Sequence, residues 1–385
     1  MASTNASKTQ VKPFTINIPQ TVLDDLQERL SRTRWPDEAD GAGWTMGTNL
    51  GYMKHFTDYW LNQYDWRKQE AELNQFHHFT AGVNGINVHF IHERGKGPNP
   101  TPILLLHGWP DSFYRYHKLI PMLTDPASFG GDPNQSFDVI VPSLPGFAFS
   151  EKKPLVYDDC ADLFTSLMTD VLGYSTFVSA GGDGGSMISV TIAQRHPEVL
   201  SGIYLTDVGY PDYTTDFASL TKPEQEFAGY IQQWWMKQGA FNMIQSTKPQ
   251  SLAFSMNDSP AGLAAWILSF MTMGSTGEEI EKRFGIDDLL TNIMIYWLTE
   301  TIGSTFRMYY EAANTAPSPN ANVRPEVPAA VAHCPWDAPL PREWANRKVN
   351  LQHFTELERG AHFTAWEEPA LIAADVQDFV RQIKQ

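Results

Sequence analysis

The stretch Phe177-Val-Ser-Ala-Gly-Gly-Asp183-Gly-Gly-Ser186 constrains the fold more than any other part of the chain. Short and β-branched residues lead into a glycine run, and Met187-Ile188-Ser189-Val190-Thr191-Ile192 continues with a helical pattern. This order predicts a strand, a sharp turn and a helix. Glycines on both sides let the backbone hold a strained turn with one side chain exposed at its tip, the arrangement called a nucleophile elbow. The residue at the tip is Asp183, where serine is the usual occupant.

The rest of the chain supplies a sheet for such a turn. Ile103-Leu-Leu-Leu106 is apolar without alternation, as a strand buried on both faces requires, and ends in His107-Gly108-Trp109-Pro110. Phe137–Val141 and Gly202–Leu205 repeat the pattern, and helical segments separate them. Strands alternating with helices predict an α/β protein with a mainly parallel sheet flanked by helices. Asn84-Gly85 marks a tight hairpin between the runs at Phe76–Phe79 and Ile86–Ile91. His89 and His92 point to opposite faces of that strand and cannot share a metal ion.

Four parts follow. Residues 1–95 form an N-terminal helical extension: an edge strand at Phe14–Pro19, a helix opened by Thr21 with Asp24 and Asp25 in its first turn, and a second helix carrying Met53, Phe56 and Trp60, with Trp66 beyond it. Residues 96–208 hold the first half of the core. Residues 209–311 are helical and rich in aromatics, including Trp234, Trp235, Trp266 and Trp297, and an insertion at this point covers the carboxyl ends of the strands as a lid. Residues 312–385 complete the core, with strands near Pro325–His333 and Leu351–Phe354 and a last helix on Ile372, Val376, Phe379 and Ile383.

Composition narrows the functions. A net charge of −16 argues against a nucleic-acid surface, which needs clustered Lys and Arg. No stretch reaches eighteen uninterrupted apolar residues, and the polar start lacks the apolar core of a signal peptide. Two cysteines, Cys160 and Cys334, make no disulfide framework. The expectation is a soluble, cytoplasmic protein with no membrane association.

Asp183, Asp337 and His362 stand in the chain order nucleophile, acid, histidine of α/β-hydrolases. Asp337 follows a strand, as does Asp207, which competes with it as the group orienting the histidine. A carboxylate with a pKa near 3.9 is ionised at neutral pH and attacks a saturated carbon directly, leaving an alkyl ester. A neutral histidine, oriented by a carboxylate, is suited to deprotonating the water that cleaves this ester. The backbone N–H groups of Trp109 and Gly184 fit by position as an oxyanion hole, with Pro110 holding the loop that presents Trp109.

His107-Gly-Trp-Pro110, Gly181-Gly-Asp-Gly-Gly185, Trp35-Pro36, Asn257-Asp-Ser-Pro-Ala-Gly-Leu-Ala-Ala-Trp266, Tyr296-Trp297, Arg307-Met-Tyr-Tyr-Glu311 and Gly360-Ala-His-Phe363 together resemble the microsomal-type epoxide hydrolases. The resemblance runs from Phe14 to the C-terminal helix and implies an α/β-hydrolase fold under a helical lid, with the N-terminal segment packed over both. It implies Asp183 as nucleophile, Asp337 as acid, His362 as base and Tyr309 as a lid tyrosine that hydrogen-bonds the epoxide oxygen. It implies no cofactor and no metal ion, and a small apolar or aromatic epoxide as partner; a homodimer stays open. Unlike the membrane-bound members, the sequence shows no N-terminal anchor.

Two positions depart from the family pattern. Phe241 stands where a second lid tyrosine is expected, which removes one hydroxyl from the site. Gly184 stands where the family usually has tryptophan, implying either a roomier pocket or a neighbouring aromatic such as Trp235 filling the space. Gly184 counts against a haloalkane dehalogenase, whose halide-binding tryptophan occupies that position, and the elbow without serine counts against an esterase. A binding protein that kept the fold and lost turnover is the alternative from another class. A dinucleotide fingerprint fails at Met187, where a third glycine is required.

Overall fold

The computed structural model describes residues 10–273, 277–316 and 318–384. Among these, nine strands form one sheet: β1 (Lys12–Phe14), β2 (His78–Val83), β3 (Ile86–Glu93), β4 (Thr101–Leu106), β5 (Phe137–Pro142), β6 (Phe177–Gly181), β7 (Leu200–Leu205), β8 (Pro328–His333) and β9 (Asn350–Glu356). Their spatial order is β1-β2-β3-β5-β4-β6-β7-β8-β9. From β5 to β9 all neighbours are parallel, whereas β1, β2 and β3 join antiparallel at the β5 edge. Ile103 to Leu106 are fully buried at the centre, which is why this part of the strand carries no polar side chain. Asn84 and Gly85 both have positive φ (48° and 81°), as the two-residue hairpin turn between β2 and β3 demands.

Register decides where chemistry can occur. Leu106 pairs with Gly181, Gly181 with Leu205, Leu205 with Val331, and Val331 with Phe354. The carboxyl ends of β4, β6, β7, β8 and β9 therefore lie level, and the loops leaving them share one rim. Helices from Lys222–Gln238 to Ile302–Asn314 lie between β7 and β8 in the chain, with no strand among them in the described residues.

The N-terminal part is both helical extension and sheet edge. Helices Gln20–Ser31, Leu50–Asn62 and Trp66–Leu73 bury Leu23, Leu26, Leu30, Met53, Phe56, Trp60 and Trp66. Two expectations are corrected. The first helix starts at Gln20 behind Pro19, whose extended ψ of 141° ends the preceding segment, so Asp24 and Asp25 fall beyond the first turn and Asp25 instead pairs with Arg29 at 2.7 Å. The edge strand covers Lys12–Phe14 and stops short of Pro19, because the N–H groups of Ile16 and Ile18 donate to the side chains of Asn74 (2.9 Å) and Glu70 (2.7 Å) in place of a neighbouring strand. The extension also bonds to the helical segment between β7 and β8, which the sequence reading assigns as a lid: the Tyr59 hydroxyl donates to Asp287 (2.9 Å), the Thr48 hydroxyl to the Ala265 carbonyl (2.6 Å), and Tyr64 meets Thr291 at 3.0 Å.

Candidate active site

The turn after β6 is strained as its sequence requires. Asp183 has φ 54° and ψ −130°, outside the regions an L-residue prefers, and the helix Gly184–Arg195 starts directly behind it. Neighbouring glycines permit this: a Cβ at Gly185 would collide with the Leu106 carbonyl, and one at Gly108 with the Asp183 carboxylate itself. The Asp183 N–H donates to Asp207 Oδ2 at 3.1 Å, which holds the turn from the β7 side.

The carboxylate of Asp183 faces two kinds of partner. Its Oδ1 accepts the Trp109 N–H at 2.9 Å, and the Gly184 N–H also points at the carboxylate. Its Oδ2 lies 3.3 Å from Nε2 of His362, which has no aligned hydrogen-bond partner of its own. On the other side of the ring, His362 Nδ1 is 3.1 Å from Asp337 Oδ2. Trp336 N–H donates to the Gly360 carbonyl (3.2 Å), tying the acid's loop to the histidine's loop. Of the two candidate acids, Asp337 contacts the imidazole, while Asp207 serves backbone N–H groups of Asp183 and Gly209.

Charges here are strongly coupled. Burial alone would raise Asp183, but the adjacent His362 and the two backbone N–H groups outweigh it, and the carboxylate lies below its usual range. Burial would lower His362, yet Asp337 and Asp183 on its two sides raise it well above an ordinary histidine. Burial and the negative Asp183 push Asp207 up to about 7. The site thus has two carboxylates kept ionised, Asp183 and Asp337, and a third, Asp207, that gives up its proton reluctantly.

Behind these groups lies a buried ion pair that sequence reasoning missed. Arg115 is fully buried, contacts Asp111 Oδ2 at 2.5 Å, and donates to the His362 carbonyl at 2.8 Å. Asp111 in turn accepts the Gly108 N–H (2.9 Å), and its carbonyl accepts the Tyr296 hydroxyl (2.6 Å). One pair therefore fixes the loops carrying both Trp109 and His362. Its sequence signal was the four-residue spacing of Asp111 and Arg115, which on most chains marks a solvated surface pair. The Pro110 carbonyl accepts from Asn292 of the lid (2.9 Å), so that loop is anchored from above as well.

The side chain of Trp109, whose N–H meets the carboxylate, belongs to an aromatic cluster. Phe241 stacks on Trp109 (5.7 Å, 7° between planes) and on Trp235 on its other face (6.2 Å, 17°), while Phe270 and Tyr309 meet Trp109 and Phe241 edge-on. Tyr309 feels burial first and then the charge of Asp183, which together raise its phenol well above the usual value. The space beside Gly184 is taken neither by Trp235 nor by an empty pocket. Tyr157, at the start of helix Tyr157–Ser166, places its hydroxyl 3.8 Å from where a Cβ on Gly184 would lie. Among the described residues no cluster of three metal-ligating side chains occurs, and no helix is long and apolar enough to cross a membrane.

Residues 11–116 match the model of the epoxide hydrolase N terminus, and residues 101–298 that of the alpha/beta hydrolase fold. A putative epoxide hydrolase of Stigmatella aurantiaca is 37% identical over 383 residues, covering 97% of this chain and 86% of that protein. The chain belongs to the epoxide hydrolase family. Epoxide hydrolase 1 of Sus scrofa, another family member, is 34% identical across 99% of this chain and 90% of its own length. Among solved members, juvenile hormone epoxide hydrolase of Bombyx mori superposes with a TM-score of 0.84 at 29% identity, covering 98% of this chain and 94% of that one. The Aspergillus niger epoxide hydrolase gives 0.81 at 27%, with 98% and 97% covered. The family's fold is the α/β-hydrolase fold, as the sheet order and the elbow indicate.

Proposed function

We propose that this enzyme opens an epoxide to a vicinal diol through an alkyl ester on Asp183. The observation that carries the reading is one carboxylate with its two oxygens assigned to different tasks: Oδ1 on the Trp109 N–H at 2.9 Å, Oδ2 free beside His362. Oδ2 attacks a ring carbon, the carbon–oxygen bond breaks, and the ring oxygen leaves as an alcohol after taking a proton from Tyr309. Esterification removes the negative charge of Asp183. One of the two carboxylates raising His362 is then gone, so its pKa falls towards that of a free base when a base is needed. His362, oriented by Asp337, takes a proton from water, which attacks Cγ of the ester. Negative charge develops on Oδ1, which the Trp109 N–H already meets at 2.9 Å, and the Gly184 N–H beside the same carboxylate supplies a second donor. Cleavage of the Cγ–Oδ2 bond releases the diol oxygen, which takes the proton remaining on the oxygen that came from water, and the proton held by His362 restores the Tyr309 phenol.

Trp109, whose N–H meets Asp183, packs with Phe241, Phe270 and Tyr309 into one aromatic cluster, which suits an apolar or aromatic substituent on the epoxide. The test is a single turnover with excess enzyme in oxygen-18 water. The expected result is label in the Asp183 carboxylate and an unlabelled enzyme oxygen in the diol. Diol carrying solvent label, with Asp183 unlabelled, would show direct water attack and end the ester mechanism.

A further inference from the structure

Phe241 leaves the lid with one phenol over the site, Tyr309, because the ring sandwiched between Trp109 and Trp235 carries no donor. The other tyrosines near Asp183 are disposed differently. Tyr296 spends its hydroxyl on the Asp111 carbonyl at 2.6 Å, Tyr310 is 40% exposed, and Tyr210 lines a small cavity with Asp207 and Asp337. Tyr157 is the exception. Its hydroxyl lies next to Gly184, in the space a larger side chain would fill. We propose that Tyr157 is the second phenol of this site, donating to the leaving oxygen from the core side while Tyr309 donates from the lid; the assignment rests on the epoxide hydrolase reading.

Electrostatics agree with the placement. After burial, the charge of Asp183 is the first to raise Tyr157 and Tyr309 alike, and in the fold Tyr157 stands beside Gly184 while Tyr309 meets Trp109 edge-on, the two residues flanking that carboxylate. The exchange is coherent: glycine at position 184 makes room, and Tyr157 enters it with a hydroxyl that replaces the one absent at Phe241. In ring opening the Asp183 oxygen–carbon bond forms, the ring carbon–oxygen bond breaks, and its electron pair goes to the oxygen. That oxygen takes one proton from one phenol and keeps a hydrogen bond from the other; the proton later removed from water by His362 restores the tyrosine.

The experiment measures ester formation by tryptophan fluorescence and ester hydrolysis separately, with an aryl epoxide, for wild type, Tyr157→Phe, Tyr309→Phe and Tyr157→Phe with Phe241→Tyr. Tyr157→Phe should slow ring opening about 10²-fold, the scale of losing one preorganised donor. Ester hydrolysis should stay unchanged, and Phe241→Tyr should recover at least about tenfold of the loss by restoring one such donor. Ring opening within about threefold of wild type, well inside the loss expected for a donor, would overturn the assignment. A parallel fall in both steps would also overturn it, since a merely space-filling ring disturbs both. Wild type that makes no diol from a broad epoxide panel would instead overturn the epoxide hydrolase reading and this assignment with it.

Discussion

At the scale of single residues, the His362–Asp337 contact of 3.1 Å makes a prediction about pH. Burial would lower His362, and Asp337 is the largest influence raising it. In the proposed ester form the Asp183 charge is gone and Asp337 is the adjoining carboxylate. Removing it in Asp337→Asn should let the imidazole lose its proton at lower pH, so the acidic limb of ester hydrolysis moves down. The plateau should fall by roughly 10²–10⁴, since the base is no longer held in one orientation. Single-turnover hydrolysis measured from pH 5 to 9 checks both effects. A limb that stays in place would mean that another carboxylate sets the proton affinity of His362, and Asp207 stands nearby.

At the scale of elements, the site depends on how closely two loops approach. The turn after β4 and the turn after β6 touch at Gly108 and Asp183, where an added Cβ would overlap the carboxylate. Gly108→Ala should therefore displace the nucleophile while leaving the sheet intact. Misplacement by about 1 Å can cost about 10²-fold in rate, and that is the expected loss in ester formation, with an unchanged far-ultraviolet spectrum. Activity within a few-fold of wild type would show that the β4 loop yields. Much of this arrangement was legible beforehand. The unbroken apolar run at Ile103–Leu106, the Asn84-Gly85 turn and the glycines around Asp183 each report a local backbone demand, and local demands are what a sequence states directly. The order Asp183, Asp337, His362 named three residues that the parallel register then brings to one rim. Tyr157 and the Asp111–Arg115 pair were not legible, because their meaning arises only when distant segments pack. An aromatic at the start of a helix and two opposite charges four apart are common on surfaces, and neither pattern states that it will lie against a nucleophile. The first helix starts at Gln20, one residue before the Thr21 that its sequence suggests, because Pro19 and the charged residues after it carry competing signals within one turn.

At the scale of the whole molecule, the N-terminal extension connects lid and sheet. Strands β1–β3 are hydrogen-bonded into the sheet, whereas helix Gln20–Ser31 packs on lid helix Pro260–Met271, and Leu50–Asn62 contacts both. The polar links across this boundary are of unequal weight. The Arg29–Asp258 pair (2.7 Å) joins side chains 37% and 81% exposed, and such pairs contribute about 0–1 kcal/mol. Apolar burial contributes more: Leu26 is 2% exposed, and truncating a buried leucine costs about 2–5 kcal/mol. Leu26 lies on the lid-facing helix and outside the sheet, so Leu26→Ala should loosen the lid before the core. Hydrogen exchange should show faster opening of the helices from Pro260–Met271 onwards, with β4 and β6 keeping their protection. Equal acceleration in lid and strands would mean that extension, lid and sheet open as one unit. The distinction bears on turnover, because a lid that opens independently can admit substrate and release diol while the level strand ends keep Trp109, Asp183, Asp337 and His362 in register.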